Sequence, residues 1–238
     1  MAAKDYDLDQ PMDKLIDLAV KKFGEVEFQT VSVGDASFEV LQIKNMQQYI
    51  DRLMDKTRSG KTIALPLWAK IWPASLVMGH SLANFPLEEE CAVLEIGGGS
   101  ALTAMVLAKR GYAVTITDID QDALLFSRIN ALKNDLGDNV TAISTDFKDA
   151  TGNRFGCIVG CEMLYDESQF DQLAAFIDGN LVLGEAGEVI LSLDLKRAAK
   201  NFFTQCSQGF NMMKSAATFK DQDSGEDKPV NLFRFKRK

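Results

Sequence analysis

The residues whose order could do chemistry begin at Val93-Leu94-Glu95-Ile96, an apolar run that passes directly into Gly97-Gly98-Gly99 and then Ser100-Ala101-Leu102. Glycines in such a turn let the main chain approach a ligand closely, and the free N–H groups at the start of a following helix favour acceptor atoms and negative charge. A dinucleotide fingerprint counted from Gly97 fails, because Leu102 stands where a third glycine or a similarly small residue is required. Roughly 20 residues beyond such a turn an acidic side chain can accept both ribose hydroxyls of an adenosine. Thr117-Asp118-Ile119-Asp120 falls at that distance, with Asp118 the candidate and Asp120 the better N-cap of the next helix. Two further acidic positions follow, Asp146 in Ser144-Thr145-Asp146-Phe147 and Glu162 in Glu162-Met163-Leu164-Tyr165.

These groups need strand ends and helix starts to hold them, and the pattern supplies both. From Pro66 onward short apolar strands alternate with helical stretches, the signature of βαβ units and a parallel sheet. The strands read as Ala92–Ile96, Ala113–Thr117, Val140–Ser144, Cys157–Cys161 and Glu188–Leu193. The helices fall near Ala101–Arg110, Asp122–Asn134, Ser168–Gly179 and Arg197–Ser207, with an apolar helix Ser75–Ala83 ahead of the first strand. Phe210–Phe219 and Val230–Lys236 close the chain as an antiparallel pair, because the Asp221–Lys228 loop leaves no room for a crossover helix. The first sixty residues read as an accessory layer. They comprise an amphipathic helix over 11–23, a hairpin of Glu27–Val33 and Ala36–Ile43 about Gly34-Asp35, and a helix from Asn45 to a break at Arg58–Lys61.

Composition narrows the function classes. With 238 residues, 46% hydrophobic and 25% charged, the chain is an ordinary globular protein with enough sequence for a sizeable core. Its 26 basic and 34 acidic residues give a net charge of −8, which repels phosphate backbones and argues against a nucleic-acid partner. The acidic opening of the chain lacks the basic-then-apolar order of a signal peptide, and no run approaches the ~18 apolar residues of a spanning helix. The reading is cytoplasmic, soluble and without a membrane. The only histidine is His80, read as a packed or partly solvated side chain. A zinc site would have to draw on all four of Cys91, Cys157, Cys161 and Cys206 from scattered apolar contexts, so the expectation is reduced, mostly buried thiols and no metal.

Counted as Glu95-x-Gly97-x-Gly99-x-Ala101, the glycine turn resembles motif I of class I, seven-β-strand S-adenosylmethionine-dependent methyltransferases, with alanine for the usual third glycine. Leu65-Pro66-Leu67-Trp68-Ala69-Lys70-Ile71-Trp72-Pro73 before the first strand and Glu162-Met163-Leu164-Tyr165 after the fourth resemble the W-P element and D-x-x-Y motif of methyltransferase family 16. That group includes many protein-lysine methyltransferases. The resemblance covers roughly residues 60 to 235. It implies a Rossmann-like, doubly wound α/β sheet of seven strands, mostly parallel with the antiparallel C-terminal pair. Residues 1–60 are then the accessory layer and 61–238 the methyltransferase domain. It further implies that Trp72, Glu95, Gly97, Gly99, Asp118, Asp146 and Phe147 hold S-adenosylmethionine or its product S-adenosylhomocysteine, with Asp146 facing the adenine amino group. For Trp68, core packing and a place at the site stand level.

The family's aspartate reads glutamate at 162, which keeps the charge and moves it by about a methylene. Methyl transfer from an activated sulfonium needs donor and acceptor held in line, water excluded and one proton managed. A lysine acceptor, with an ordinary pKa near ~10.4, must lose its proton first. An apolar pocket with a carboxylate base, Glu162, assists that loss, and the ring or hydroxyl of Tyr165 can orient the nitrogen. The expected function is methylation of a protein side chain such as lysine. A small-molecule N-methyltransferase, and a non-catalytic cofactor-binding protein acting through the accessory layer, are the alternatives.

Overall fold

The computed structural model describes residues 5–56, 65–149, 151–184, 186–195, 199–220 and 225–238. The expected break at Arg58–Lys61 and the start of the helix expected from Arg197 lie outside the described residues. After Pro11 comes α1 (Met12–Phe23), which buries Leu15, Ala19 and Phe23 at helical spacing and stops at Gly24, φ 89°. The hairpin β1 (Val26–Val33) and β2 (Ala36–Ile43) turns at Gly34, φ 60°, and leads to α2 (Met46–Lys56). A 3₁₀ turn, Leu67–Ala69, precedes α3 (Pro73–Leu82), whose proline sits at the first helical position, where no N–H is needed.

From Val93 the chain alternates as expected: β3 (Val93–Ile96), α4 (Leu102–Lys109), β4 (Val114–Asp118), α5 (Gln121–Lys133), β5 (Val140–Ser144) and β6 (Cys157–Cys161). It continues through a 3₁₀ turn at Glu167–Gln169, α6 (Phe170–Asn180), β7 (Glu188–Asp194), α7 (Lys200–Cys206), β8 (Phe210–Lys220) and β9 (Asp227–Arg237). The sheet has seven strands in the order β5-β4-β3-β6-β7-β9-β8; the first five run parallel, and β9 lies antiparallel to both of its neighbours. The order reverses beside β3, so the carboxyl ends of β3 and β6 open a crevice at the switch point, where open α/β sheets bind ligands.

Alternation along the strands divides the apolar groups between two faces. Val93, Ile116, Val159 and Ile190 meet α3, α4 and α5 on one face, while Leu94, Ile96, Ile158 and Leu191 meet α6 and α7 on the other. The N-terminal hairpin shares the first of these cores, for Val31, Val33, Phe38 and Val40 are buried with Met78, Leu82 and Met105. Outside it, α1 packs Leu15, Ala19 and Phe23 on Leu125, Phe126 and Ile129 of α5. No helix among the described residues is long and apolar enough to cross a membrane.

Candidate active site

β3 ends at Ile96 and α4 begins at Leu102, so the chain turns within five residues. Gly97, Gly99 and Ala101 achieve this with left-handed φ values of 64°, 50° and 61°. Glycine adopts that conformation freely, whereas for alanine it costs roughly 1–2 kcal/mol. The Ile116 side chain also leaves no room for a Cβ at the middle glycine: one on Gly98 would stand 2.1 Å from Ile116 Cγ2. Ala101, as the N-cap, offers α4 no side-chain acceptor. Glu95 supplies one from below, its Oε2 accepting the Ala104 N–H at 2.9 Å. Burial raises the Glu95 carboxyl to about 8, against the pull of the Ala104 and Thr103 hydrogen bonds. Its side chain is thus committed beneath the loop, to the start of α4.

At the end of β4, Asp118 lies beside that loop. Its Oδ2 accepts the Gly99 N–H at 3.3 Å and its Oδ1 the Asp120 N–H at 2.9 Å. Burial raises its pKa to about 6, although the Asp120 and Gly99 N–H groups lower it. Asp120 turns to α5, capping the Asp122 N–H at 2.9 Å as expected. Between them Ile119 is 71% exposed, an apolar side chain at the mouth of the crevice that spacing had not singled out. Asp146 and Phe147 are brought next to Asp118 because the Thr145 N–H donates to the Asp118 carbonyl at 3.2 Å. Asp146 lies 3.7 Å from Lys148 Nζ, and the Phe147 ring rests tilted on Phe176, centroids 5.6 Å apart.

The two tryptophans divide. Trp68 belongs to the core, its ring centroid 4.8 Å from that of Phe126 and 5.6 Å from that of Phe23, while its carbonyl closes on Gly99. Trp72 is half-buried and folded back on its own turn, where its Nε1–H donates to the Leu67 carbonyl at 2.9 Å and Lys70 Nζ stands 4.9 Å from its ring. His80 is exposed and its Nδ1 accepts the Gly34 N–H at 3.2 Å, in keeping with a solvated side chain. The four cysteines are unpaired thiols, and the described residues hold no cluster suited to a metal ion.

Beyond β6 the chain turns sharply at Glu162, a non-glycine residue at φ 57°. Left-handed residues of this kind carry strain that surrounding contacts must hold, and such strain gathers at functional sites. Here the Glu162 N–H extends the ladder to the Ser192 carbonyl at 2.9 Å, and its Oε1 accepts the Asp194 N–H at 2.6 Å. The turn drives Met163 back over the glycines, where a Cβ on Gly97 would come within 2.3 Å of the Met163 sulfur. This contact, invisible to motif reading, couples the two strand ends. Tyr165 is thrown outward, 63% exposed. Partial burial raises its phenol pKa, and the negative charges of Asp118 and Asp166 raise it further.

The crevice therefore offers a pre-oriented carboxylate with lone pairs to spare at Asp118, the apolar side chains of Ile119 and Phe147 beside it, and a tight glycine turn. That set fits an adenosine with an extended tail. Comparisons with known proteins agree. The lysine methyltransferase family model matches residues 43–209. A Xenopus tropicalis protein named protein N-lysine methyltransferase METTL21A is 27% identical over 173 residues, 70% of this chain and 76% of its own length. Among solved structures, the glycopeptide N-methyltransferase MtfA in complex with S-adenosylhomocysteine matches with a TM-score of 0.53 and 17% identity, over 69% of this chain and 90% of its own. The ribosomal protein L11 methylase of Lactobacillus delbrueckii subsp. bulgaricus matches with a TM-score of 0.51 and 20% identity, over 69% and 77%. These likenesses establish a shared fold. The family match spans most of the sequence, and the chain belongs to the lysine methyltransferase family as an S-adenosylmethionine-dependent methyltransferase.

Proposed function

We propose that the acceptor is a lysine side chain of a protein. The observation that carries this reading is the exposure of Tyr165, which stands 63% open to solvent at the rim of the crevice rather than walled into a closed pocket. Leu67, before the wall of the glycine loop, and Leu195, at the carboxyl end of β7, are also exposed, at 58% and 50%. An open apolar rim suits a side chain presented by a macromolecule better than a small molecule, which closed, concave sites bury almost fully. A relative named as a protein N-lysine methyltransferase supports the same acceptor.

The cofactor supplies an already activated sulfonium methyl group. In our reading Asp118 holds the ribose, Asp146 and Phe147 the adenine, Gly97 and Gly99 the tail, with Glu95 keeping their loop on α4 and Trp72 beside it. The lysine nitrogen would approach past Tyr165 and give up its proton toward Glu162 and solvent, and the bound cofactor would supply the methyl group. The aromatic ring of Tyr165 also favours the ammonium form that first arrives. Residues 1–60 remain an accessory layer in this reading. The net charge of −8 opposes nucleic acid and favours basic protein segments, and four unpaired thiols suit a reducing cytoplasm. Incubation with methyl-labelled S-adenosylmethionine and a cell lysate, followed by separation of proteins from small molecules, tests the acceptor. Label recovered as methyl-lysine is expected; label confined to small molecules would replace this reading with a small-molecule methyltransferase.

A further inference from the structure

Two polar side chains of α5 are wholly buried, and both face the glycine loop. Ser127, 0% exposed, donates its hydroxyl to the Gly99 carbonyl at 2.8 Å. Asn130, also 0% exposed, donates Nδ2–H to the Ser100 carbonyl at 2.9 Å. The other end of the Asn130 amide reaches the N-terminal hairpin, where Oδ1 accepts the Leu41 N–H of β2 at 2.7 Å. One turn further, at the C-cap of α5, Asn134 brackets Glu39, with Oδ1 accepting its N–H at 2.9 Å and Nδ2–H donating to its carbonyl at 2.8 Å. The spacing explains the fit: four helical residues advance roughly 6 Å and two strand residues roughly 7 Å, so an i, i+4 pair of amides can serve alternate residues of a strand. Asn134 Nδ2–H also donates to the Asn130 carbonyl at 2.7 Å and meets the Met105 sulfur at 3.3 Å, so Asn134 serves the hairpin and the helices beneath it but makes no hydrogen bond to the glycine loop, whereas Asn130 bridges the hairpin to the loop.

The bridge matters because the loop is a strained turn, with Ala101 left-handed and both carbonyls aimed inward. Removing the Asn130 amide leaves two buried polar groups unsatisfied, the Ser100 carbonyl and the Leu41 N–H. We propose that Asn130 is a positioning residue for the cofactor loop, and that through it the β1–β2 hairpin takes part in cofactor binding. This rests on the reading of Gly97 and Gly99 as the cofactor turn. The accessory layer then acts as one half of a linkage, and occupancy of the crevice and order in β2 favour each other.

The test uses the full chain, S-adenosylhomocysteine as the ligand, and two variants. Asn134→Ala removes contacts to the hairpin, to Met105 and to the Asn130 carbonyl but none to the glycine loop, so it lowers the melting temperature and leaves the Kd within about twofold of the unsubstituted protein. Asn130→Ala also lowers the melting temperature but raises the Kd about tenfold or more, the change expected for one buried hydrogen bond that holds the binding conformation. Equal affinity in the two variants would overturn the proposal, leaving Asn130 a packing residue. Should Asn130→Ala fail to fold, amide exchange of the unsubstituted protein decides. Ligand should slow exchange at Leu41 more than in the β8–β9 ladder at the far edge of the sheet. Exchange at Leu41 that merely follows that ladder would overturn it. Absence of binding by the unsubstituted protein would instead overturn the cofactor turn itself.

Discussion

Asp118 is the residue whose replacement should cost the most binding per atom removed. Its two oxygens are held by the Gly99 and Asp120 N–H groups at 3.3 and 2.9 Å, so the carboxylate meets a ligand already oriented and loses little freedom on binding. In Asp118→Ala the ribose hydroxyls lose a charged acceptor, a loss of about 1.5–3 kcal/mol, or roughly 10- to 150-fold in Kd. The Gly99 N–H is orphaned as well, which moves the expected value to the upper part of that range. The proton provides a second arm. Burial raises this carboxyl to about 6, and only the ionised form offers acceptors to both hydroxyls. Affinity should therefore be flat above about pH 7 and fall as pH drops below 6, by roughly tenfold one unit further down. Asp118→Asn should abolish that dependence while binding weakly throughout. Calorimetric titration of S-adenosylhomocysteine between pH 5 and 8 measures both arms. Unchanged affinity in Asp118→Ala, or a pH profile identical in the asparagine variant, would remove Asp118 from the ribose site.

Three other outcomes follow from the geometry. Glu162→Gln keeps an oxygen for the Asp194 N–H, so melting temperature and cofactor affinity should stay near wild type while single-turnover methyl transfer slows by ~10²–10⁴; full activity would confine Glu162 to holding the β6–β7 corner. Glu95, raised to about 8 by burial, favours the folded state fully below its ordinary pKa and loses that contribution as pH rises through 8. Glu95→Gln keeps an acceptor for Ala104 without a charge to bury, so its melting temperature should gain on wild type between pH 5 and pH 9, and parallel curves would refute the shift. Gly98→Ala forces a methyl against Ile116 and should cost about 1–3 kcal/mol by denaturant melt, part of it recovered by adding Ile116→Ala, and purely additive costs would contradict the contact.

What could be read in advance was what lies close along the chain. Strand ends followed by Gly97–Gly99, Asp118, Asp146 and Glu162 announce themselves because each candidate residue sits within a residue or two of an apolar run. β5 and β6 occupy the expected residues, and the N-cap role of Asp120 needed only its position before a helix. What stayed hidden was set by distant pairings. The antiparallel closure was visible, but not that β9 inserts between β7 and β8. The even choice for Trp68 resolved to the core only because α1 delivers Phe23 to it. Neither the left-handed turn at Glu162 nor the seat of Met163 on Gly97 has a local signal, since both depend on the neighbouring strand. Asn130 and Leu41 are 89 residues apart, and no spacing rule connects them.

The most direct measurement of the central claim is a crystal structure of the protein with S-adenosylhomocysteine. The expected density has both ribose hydroxyls on the Asp118 carboxylate, the adenine between Ile119 and Phe147, the tail over Gly97 and Gly99, and the sulfur facing Tyr165. A ligand bound with its ribose away from Asp118, or outside the crevice between β3 and β6, would contradict it.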